Sequence, residues 1–317
     1  VDGGAVIEAA RHTITEAGFA DRAEFFRTNS FELELPERVD VAICDHVGCF
    51  GFDYGILPAL ADAKERLVKP EGIVLPAELE LKLAPVDSER NYKNIEEWKD
   101  GNVPRDFEWL WSFAANTKWL GLHSASDLLS KPASLVTLQL GRKPDAYMSW
   151  STSFTFVRDG PFNGLAGWFN CRLFDDIWLT NAPDQESTSQ RPQAFFPLES
   201  PLAVKAGERA DVTIMARHED DVIGWVVDIP DHGERVSQST FNAMLLDDEA
   251  MARAKTDRVA RLNNRGRARQ IVLSYCDGKR TIDQVQAIVL RDHPKLFPSE
   301  HVASSFVMQV LARDTSE

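Results

Sequence analysis

The strongest constraint on the fold is a change of hydropathy period at Pro76. Upstream, helical and short apolar segments alternate. "GAVIEAARHTITEA" places Val6, Ala10, Thr13 and Ile14 on one helical face and is stopped by Gly18. "EFFRT" and "VDVAIC" are short apolar runs bounded by polar turns and predict buried parallel strands. "ILPALADAKERLV" predicts a helix with Pro58 in its first turn, and "KPEGIVLP" a turn and a third strand. This order, with short links, predicts an α/β domain whose ligands gather at the carboxyl ends of its strands. Downstream the period is two. "SWSTSFTF" alternates Trp150, Thr152, Phe154 and Phe156 with serines and threonine, and "FNGLAGWFNCRLF", "FFPLESPLAV", "ADVTIMAR" and "VIGWVVDI" continue as strands. A β-sandwich or barrel is expected there.

At the end of "VDVAIC" lies "CDHVGCFGFDYGILP", residues 44–58, where three glycines, two aspartates and aromatic residues meet. Its position at a strand's carboxyl end makes it the leading candidate for a ligand-holding loop. Between the two regions, Trp98, Trp109, Trp111 and Trp119 fall in one short charged span, as a core or an interface would require. The final segment is helical again. "TIDQVQAIVLRD" has Thr281 and Gln284 in capping-box spacing and is expected to bury Ile282, Val285, Ile288 and Val289; "SEHVASSFVMQVLAR" is expected to bury Val302, Phe306, Val310 and Leu311.

Charge separates this tail from the body. The chain carries −14 overall, yet residues 251–317 hold 12 Lys and Arg against 7 Asp and Glu, leaving −19 for the first 250. An acidic body argues against broad nucleic-acid binding, which needs a positive surface to displace counterions. No run of about 18 apolar residues predicts a membrane span, and no leader pattern is seen. The four cysteines form no C-x-x-C pair, so reduced core residues in a cytoplasmic protein are expected, with no metal site. "RHEDD", residues 217–221, gathers carboxylates and a histidine but is expected to be a solvated hairpin turn. There is no H-E-x-x-H, G-x-S-x-G or G-x-x-x-x-G-K.

The stretch "ADRAEFFRTNSFELELPERVDVAICDHVGCFGFDYGILPALADAKERLVKPEGIVLPAE", followed by "FNGLAGWFNCRLFDDIWLTNAP", "RPQAFFPLESPLAVKAGE" and "VIGWVVDI", resembles the protein arginine methyltransferases over roughly the first 230 residues. The resemblance implies a partial class I methyltransferase Rossmann-like domain over 1–78 and a β-barrel substrate and dimerisation domain over 79–248. It also implies S-adenosylmethionine as cofactor. The family's glycine-rich cofactor loop has no counterpart in these residues, so they are expected to bind the cofactor weakly by themselves. Asp2 falls where the family carries the acid for the ribose hydroxyls, and Asn29 and Ser30 where it lines the adenine pocket.

By the same resemblance, residues 44–58 are the acceptor loop, in which two glutamates clamp a guanidinium. Asp45 stands at the first position and Tyr54 at the second, with Asp53 one position early. Tyr54 carries no charge near neutral pH, so the usual acceptor is in question. The family's Thr-His-Trp motif is replaced by Ser189, Gln190 and Arg191, with Gln193 at the following glutamine; Gln190 and Gln193 are the implied substrate-side residues. His46 is a candidate base in place of the missing histidine.

The tail, "LNNRGRARQIVLSYCDGKRTIDQVQAIVLRDHPKLFPSEHVASSFVMQVLAR", resembles PqqD-like domains. It implies a small winged-helix-like helical domain over 249–317 that binds a peptide, with Arg261, Arg265, Arg267 and Arg269 favouring an acidic segment. The expected fold is thus α/β plus β with a helical C-terminal domain. The expected function is methyl transfer to a peptide or protein by a homodimer joined through residues 92–130. The alternative is a catalytically inactive homologue that binds a peptide or protein.

Overall fold

A computed structural model describes residues 1–99, 101–183, 191–244, 259–297 and 299–315. The chain divides into two compact units, Val1–Met244 and Leu245–Glu317. No helix among the described residues is long and apolar enough to cross a membrane.

The first unit opens with α1 (Val6–Glu16), which ends where Gly18 takes a left-handed turn at φ +77°. Its buried residue is Ile7, with Ile14 half-buried; Val6, Ala10 and Thr13, expected inside, face solvent. Strand β1 (Val39–Ile43) pairs in parallel with β2 (Val68–Leu75), in the register Val41↔Ile73, Ala42↔Val74 and Ile43↔Leu75. Helix α2 (Ile56–Asp62) makes the crossover and buries Ile56, Leu57 and Leu60. Pro58 sits in its first turn, where the missing N–H is not needed. "EFFRT" is not a strand. A parallel strand exists only through a ladder to a neighbour, and among the described residues the backbone bond at this segment is Asp2 N–H to Phe26 O, 3.2 Å.

Past Pro76 the period of two becomes antiparallel sheet, as expected. The larger sheet has six strands: β3 (Glu78–Val86), β4 (Trp119–Gly121), β5 (Ala133–Gln139), β7 (Gly160–Phe174), β8 (Ile177–Thr180) and β9 (Gln193–Val204). Its order is β4-β9-β7-β3-β5, with β8 on β7. The smaller sheet, in order β12-β11-β10-β6, comprises β6 (Met148–Thr155), β10 (Arg209–Arg217), β11 (Val222–Ile229) and β12 (Glu234–Ser239).

Alternation along β6 turns Trp150, Thr152 and Phe154 inward and the serines outward. Across β10, Ile214 faces Trp150 on one side and Trp225 on the other. Both sheets share one core, in which Leu79, Leu81 and Leu83 of β3 meet Phe162, Phe196 and Trp225 with no solvent exposure. Each such side chain contributes roughly 1.5–3 kcal/mol by burial.

Helices α3 (Glu89–Glu96) and α4 (Leu110–Ala115) carry the aromatic span. Part of it packs inward. Tyr92, Ile95, Trp111 and Trp119 pack with Phe195 in a second cluster, whereas Phe107 and Trp109 stand half or more exposed.

The second unit, by itself, consists of α5 (Asn264–Ser274), α6 (Ile282–Asp292) and α7 (Glu300–Asp314), with no strand among its described residues. The capping box forms as its spacing predicts. Thr281 N–H donates to Gln284 Oε1 at 2.9 Å, and Gln284 N–H donates to Thr281 Oγ1 at 3.3 Å. Val272, Val285, Val289, Val307, Val310 and Leu311 make the core. Ile282 and Val302, expected inside, are exposed, because the seam runs Val285–Val289 on α6 and Ala303–Val307–Val310 on α7.

Candidate functional site

Residues 44–58 leave β1 after the Cys44 N–H bonds Leu75 O at 2.9 Å. They then fold back on themselves through two reciprocal Gly48–Gly51 bonds of 3.1 Å. A side chain at Gly48 would place its Cβ 2.5 Å from Asp53 Cβ, so the turn closes only with glycine there. Phe50 is driven into the barrel. Its ring lies against Gly167 of β7, where an added Cβ would come within 2.7 Å of it, and packs edge-on to Phe196 at 5.2 Å. Phe52 meets Trp150 at 6.2 Å. The loop is thus a plug seated in the sandwich by two aromatic anchors.

The polar side of the plug is Asp53, whose side chain is only 2% exposed. Its Oδ2 accepts from Phe50 N–H at 2.9 Å and from the Cys49 thiol at 2.9 Å, and Lys118 Nζ lies 3.1 Å away. Burial, followed by the neighbouring Asp53 charge, pushes the Cys49 thiol up to about 12, so it stays protonated and donating. Asp53 Oδ1 is buried and has no hydrogen-bond partner among the described residues.

Asn181 ties the plug to the barrel from the other side. Its Nδ2 donates to Cys49 O and to Pro192 O, both at 2.8 Å, and its Oδ1 accepts from Phe169 N–H at 2.9 Å. Gln193 extends the chain of bonds: Nε2 donates to Asn181 O at 2.5 Å, and Oε1 accepts from His123 N–H at 2.9 Å. With both ends of its amide bonded to backbone and its side chain buried, Gln193 ties these loops together, and it lines an open cavity of about 730 Å³ with His123, Asn181 and Arg191. Burial pushes the His123 imidazole down to about 4, so it stays neutral beside Asn91. Gln190 lies outside the described residues.

The other sequence candidates divide into two groups. Asp2 and Asn29 share an edge, since the Asp2 N–H reaches Phe26 O and Gly3 abuts Thr28. Asp2 Oδ1 accepts from Gly4 N–H at 2.6 Å, and Asn29 Oδ1 accepts from Phe31 N–H at 3.1 Å, capping the short helix that begins at Ser30. The Ser30 carbonyl accepts from Arg66 Nη2 at 2.9 Å, so the wide turn Ala63–Leu67 that follows α2 braces the segment. Asp45 and His46 are exposed at the end of β1, and Tyr54 is 62% exposed.

His46, Asp53 and Tyr54 line an open cavity of about 680 Å³ whose opposite wall is the β10–β11 turn with His218, Glu219 and Asp221. Asp45 is not among its lining residues. The turn is the exposed hairpin that the sequence predicts; hydropathy alternation locates it between two strands but does not show which loop it faces. Lys118 and Asn181 were missed for the same reason: each acts on a segment more than 60 residues away. Among the described residues no group of three or more His, Cys, Asp and Glu is placed to hold a metal ion.

Comparison with known proteins agrees with this architecture. The chain is 24% identical over 248 residues to protein arginine N-methyltransferase 2 of Xenopus tropicalis, covering 72% of this chain and 57% of that one. It is 30% identical over 207 residues to the arginine N(omega)-methyltransferase of Streptomyces achromogenes subsp. streptozoticus, covering 63% and 56%. The chain thus spans a little over half the length of these curated relatives. Among solved structures, the Trypanosoma brucei PRMT1 enzyme-prozyme heterotetrameric complex with AdoHcy superposes with a TM-score of 0.65 at 18% identity, covering 75% of this chain and 79% of that one. Arabidopsis thaliana protein arginine methyltransferase 10 superposes at 0.61 and 16%, covering 74% and 80%. At these identities the likeness is one of fold. The PRMT5 oligomerisation domain matches residues 83–247, more than half of the chain, and to that family this chain belongs.

Proposed function

We propose that this chain is the acceptor-loop and barrel portion of an S-adenosylmethionine-dependent methyltransferase of the protein arginine type, acting on a peptide or protein. The observation that carries this reading is the seat of residues 44–58: a loop at the carboxyl end of a parallel strand, pinned by Phe50 and Asn181 to a barrel of the family that matches. Asp2 would take the ribose hydroxyls, with Asn29 and Ser30 beside the adenine; these residues fit the role in sharing one edge. When bound, the cofactor supplies an electrophilic methyl group. Asp45, exposed at the strand's end, accepts N–H bonds from the acceptor and orients its nitrogen, and His46 beside it is the candidate base.

Partner contacts follow the same reading. Exposed Phe107 and Trp109 support a homodimer through residues 92–130, and the four free cysteines support a reducing, cytoplasmic setting. Residues 1–78, 79–248 and 249–317 act as cofactor, barrel and PqqD-like winged-helix modules, the last delivering a peptide. Deleting residues 251–317 is expected to lower peptide affinity; unchanged affinity with lower thermal stability would contradict that role.

One observation favours a second reading, a non-catalytic binding homologue: Asp53 is already paired with Lys118. Labelled methyl transfer from S-adenosylmethionine to proteins of a cell extract, with the longest natural polypeptide containing these residues, decides between them. Transfer supports the first reading; none in the presence of bound cofactor supports the second.

A further inference from the structure

The cavity over the acceptor loop has an unusual charge balance. Asp53, Glu219 and Asp221 line it, and among the described residues no lysine or arginine does. Lys118, just before β4, offsets Asp53, and among the described residues neither Glu219 nor Asp221 is in an ion pair. Two further observations point to a ligand. Asp53 Oδ1, on a side chain 2% exposed, has no partner among the described residues, and neither ring nitrogen of His218 has one. A buried polar atom without a partner keeps its full desolvation penalty until a donor or acceptor meets it. Tyr54 adds an exposed aromatic face at the rim, suited to stacking on a delocalised cation.

We propose that Glu219 and Asp221 of the β10–β11 turn are the acceptor-side carboxylates of this protein, holding a guanidinium between the turn, Asp53 Oδ1 and the ring of Tyr54. The inference rests on the acceptor-loop reading above, and it relocates the second clamp from the loop to the barrel. A guanidinium suits the site because its planar fork offers five N–H donors to carboxylates disposed around it, where an ammonium offers three from one point. Asp220, in the same turn, is ion-paired to Arg217 and does not line the cavity.

The test uses the 317-residue chain without cofactor, so that loss of acceptor binding and loss of methyl transfer are separate results. N-acetyl-arginine methylamide is titrated while the imidazole resonances of His46 and His218 are followed by NMR, with the neutral citrulline analogue as control. Saturable shifts at both histidines with the arginine probe, and affinity at least tenfold weaker for citrulline, are expected. The variant E219Q/D221N should weaken arginine binding about tenfold. D220N, which removes an equal charge from the turn for each substitution, should change it less than threefold. Asparagine tolerates the left-handed backbone at Asp221, φ +53°, so the turn survives the substitution; the single variant E219Q, at an ordinary position, repeats the measurement independently. Equal affinity for arginine and citrulline, or an unchanged affinity in E219Q and E219Q/D221N, overturns the proposal whatever the outcome of methyl-transfer assays.

Discussion

Truncating Phe50 to alanine separates a seated plug from a loop that merely rests on the barrel. The ring has no solvent exposure, touches Gly167, and packs with Phe196 at 5.2 Å and Phe52 at 5.7 Å. Lost burial amounts to about 1.5–3 kcal/mol. The two ring contacts add about 0.5–1.5 kcal/mol each, consistent with the 3–5 kcal/mol that Phe-to-Ala changes typically cost in cores, at about the same scale. For a unit of this size that is a melting shift of roughly 6–20 °C. The substitution has a local signature too. Cys49 is buried and its thiol is held protonated near pKa 12, so in the native protein it should resist a thiol reagent at pH 8. In F50A the plug opens and Cys49 is labelled well before global unfolding. A loss under about 1 kcal/mol with Cys49 still protected would refute the anchoring argument.

Other consequences are directly measurable. K118M strands a carboxylate 2% exposed and should cost about 3–5 kcal/mol, most of it recovered in K118M/D53N, as read from urea midpoints. N181A leaves Cys49 O, Pro192 O and Phe169 N–H without a partner, at about 1–3 kcal/mol for each group that water cannot reach, and should accelerate amide exchange at Phe169. For His123, whose folded pKa is near 4 against about 6.5 unfolded, the unfolded chain binds more protons between those values. Its contribution is therefore complete above about pH 6.5 and lost as pH falls toward 4, roughly 3 kcal/mol in all. H123Q should flatten that part of the pH–stability curve, and an unchanged slope would contradict the assignment.

What could be read from the chain divides by range. Period and punctuation located most elements: the alternation in "SWSTSFTF" gave β6 and its inward face, and Thr281 with Gln284 gave the start of α6. Faces were harder wherever apolar residues exceed what one seam needs. In α1 the buried residue is Ile7 rather than its neighbour Val6, because the helix's orientation is set by what lies under it and not by its own composition. "EFFRT" has strand composition but no ladder, and ladder partners are long-range facts. The candidate site shows the same limit. The loop was legible from its glycines and its place after β1. Its supports, Lys118 and Asn181, were not, nor was the β10–β11 turn as the cavity's facing wall, since each is brought to the loop by sheet topology alone.

The central claim is that residues 44–58 present an acceptor for methyl transfer, with Asp45 at the reacting end. Single-turnover transfer of labelled methyl from S-adenosylmethionine, with the longest natural polypeptide containing these residues and its D45N variant, tests it most directly. The account predicts a rate at least a hundredfold lower in D45N with cofactor affinity unchanged, as expected when an orienting charge-assisted bond is lost. Equal rates in the two proteins would contradict it.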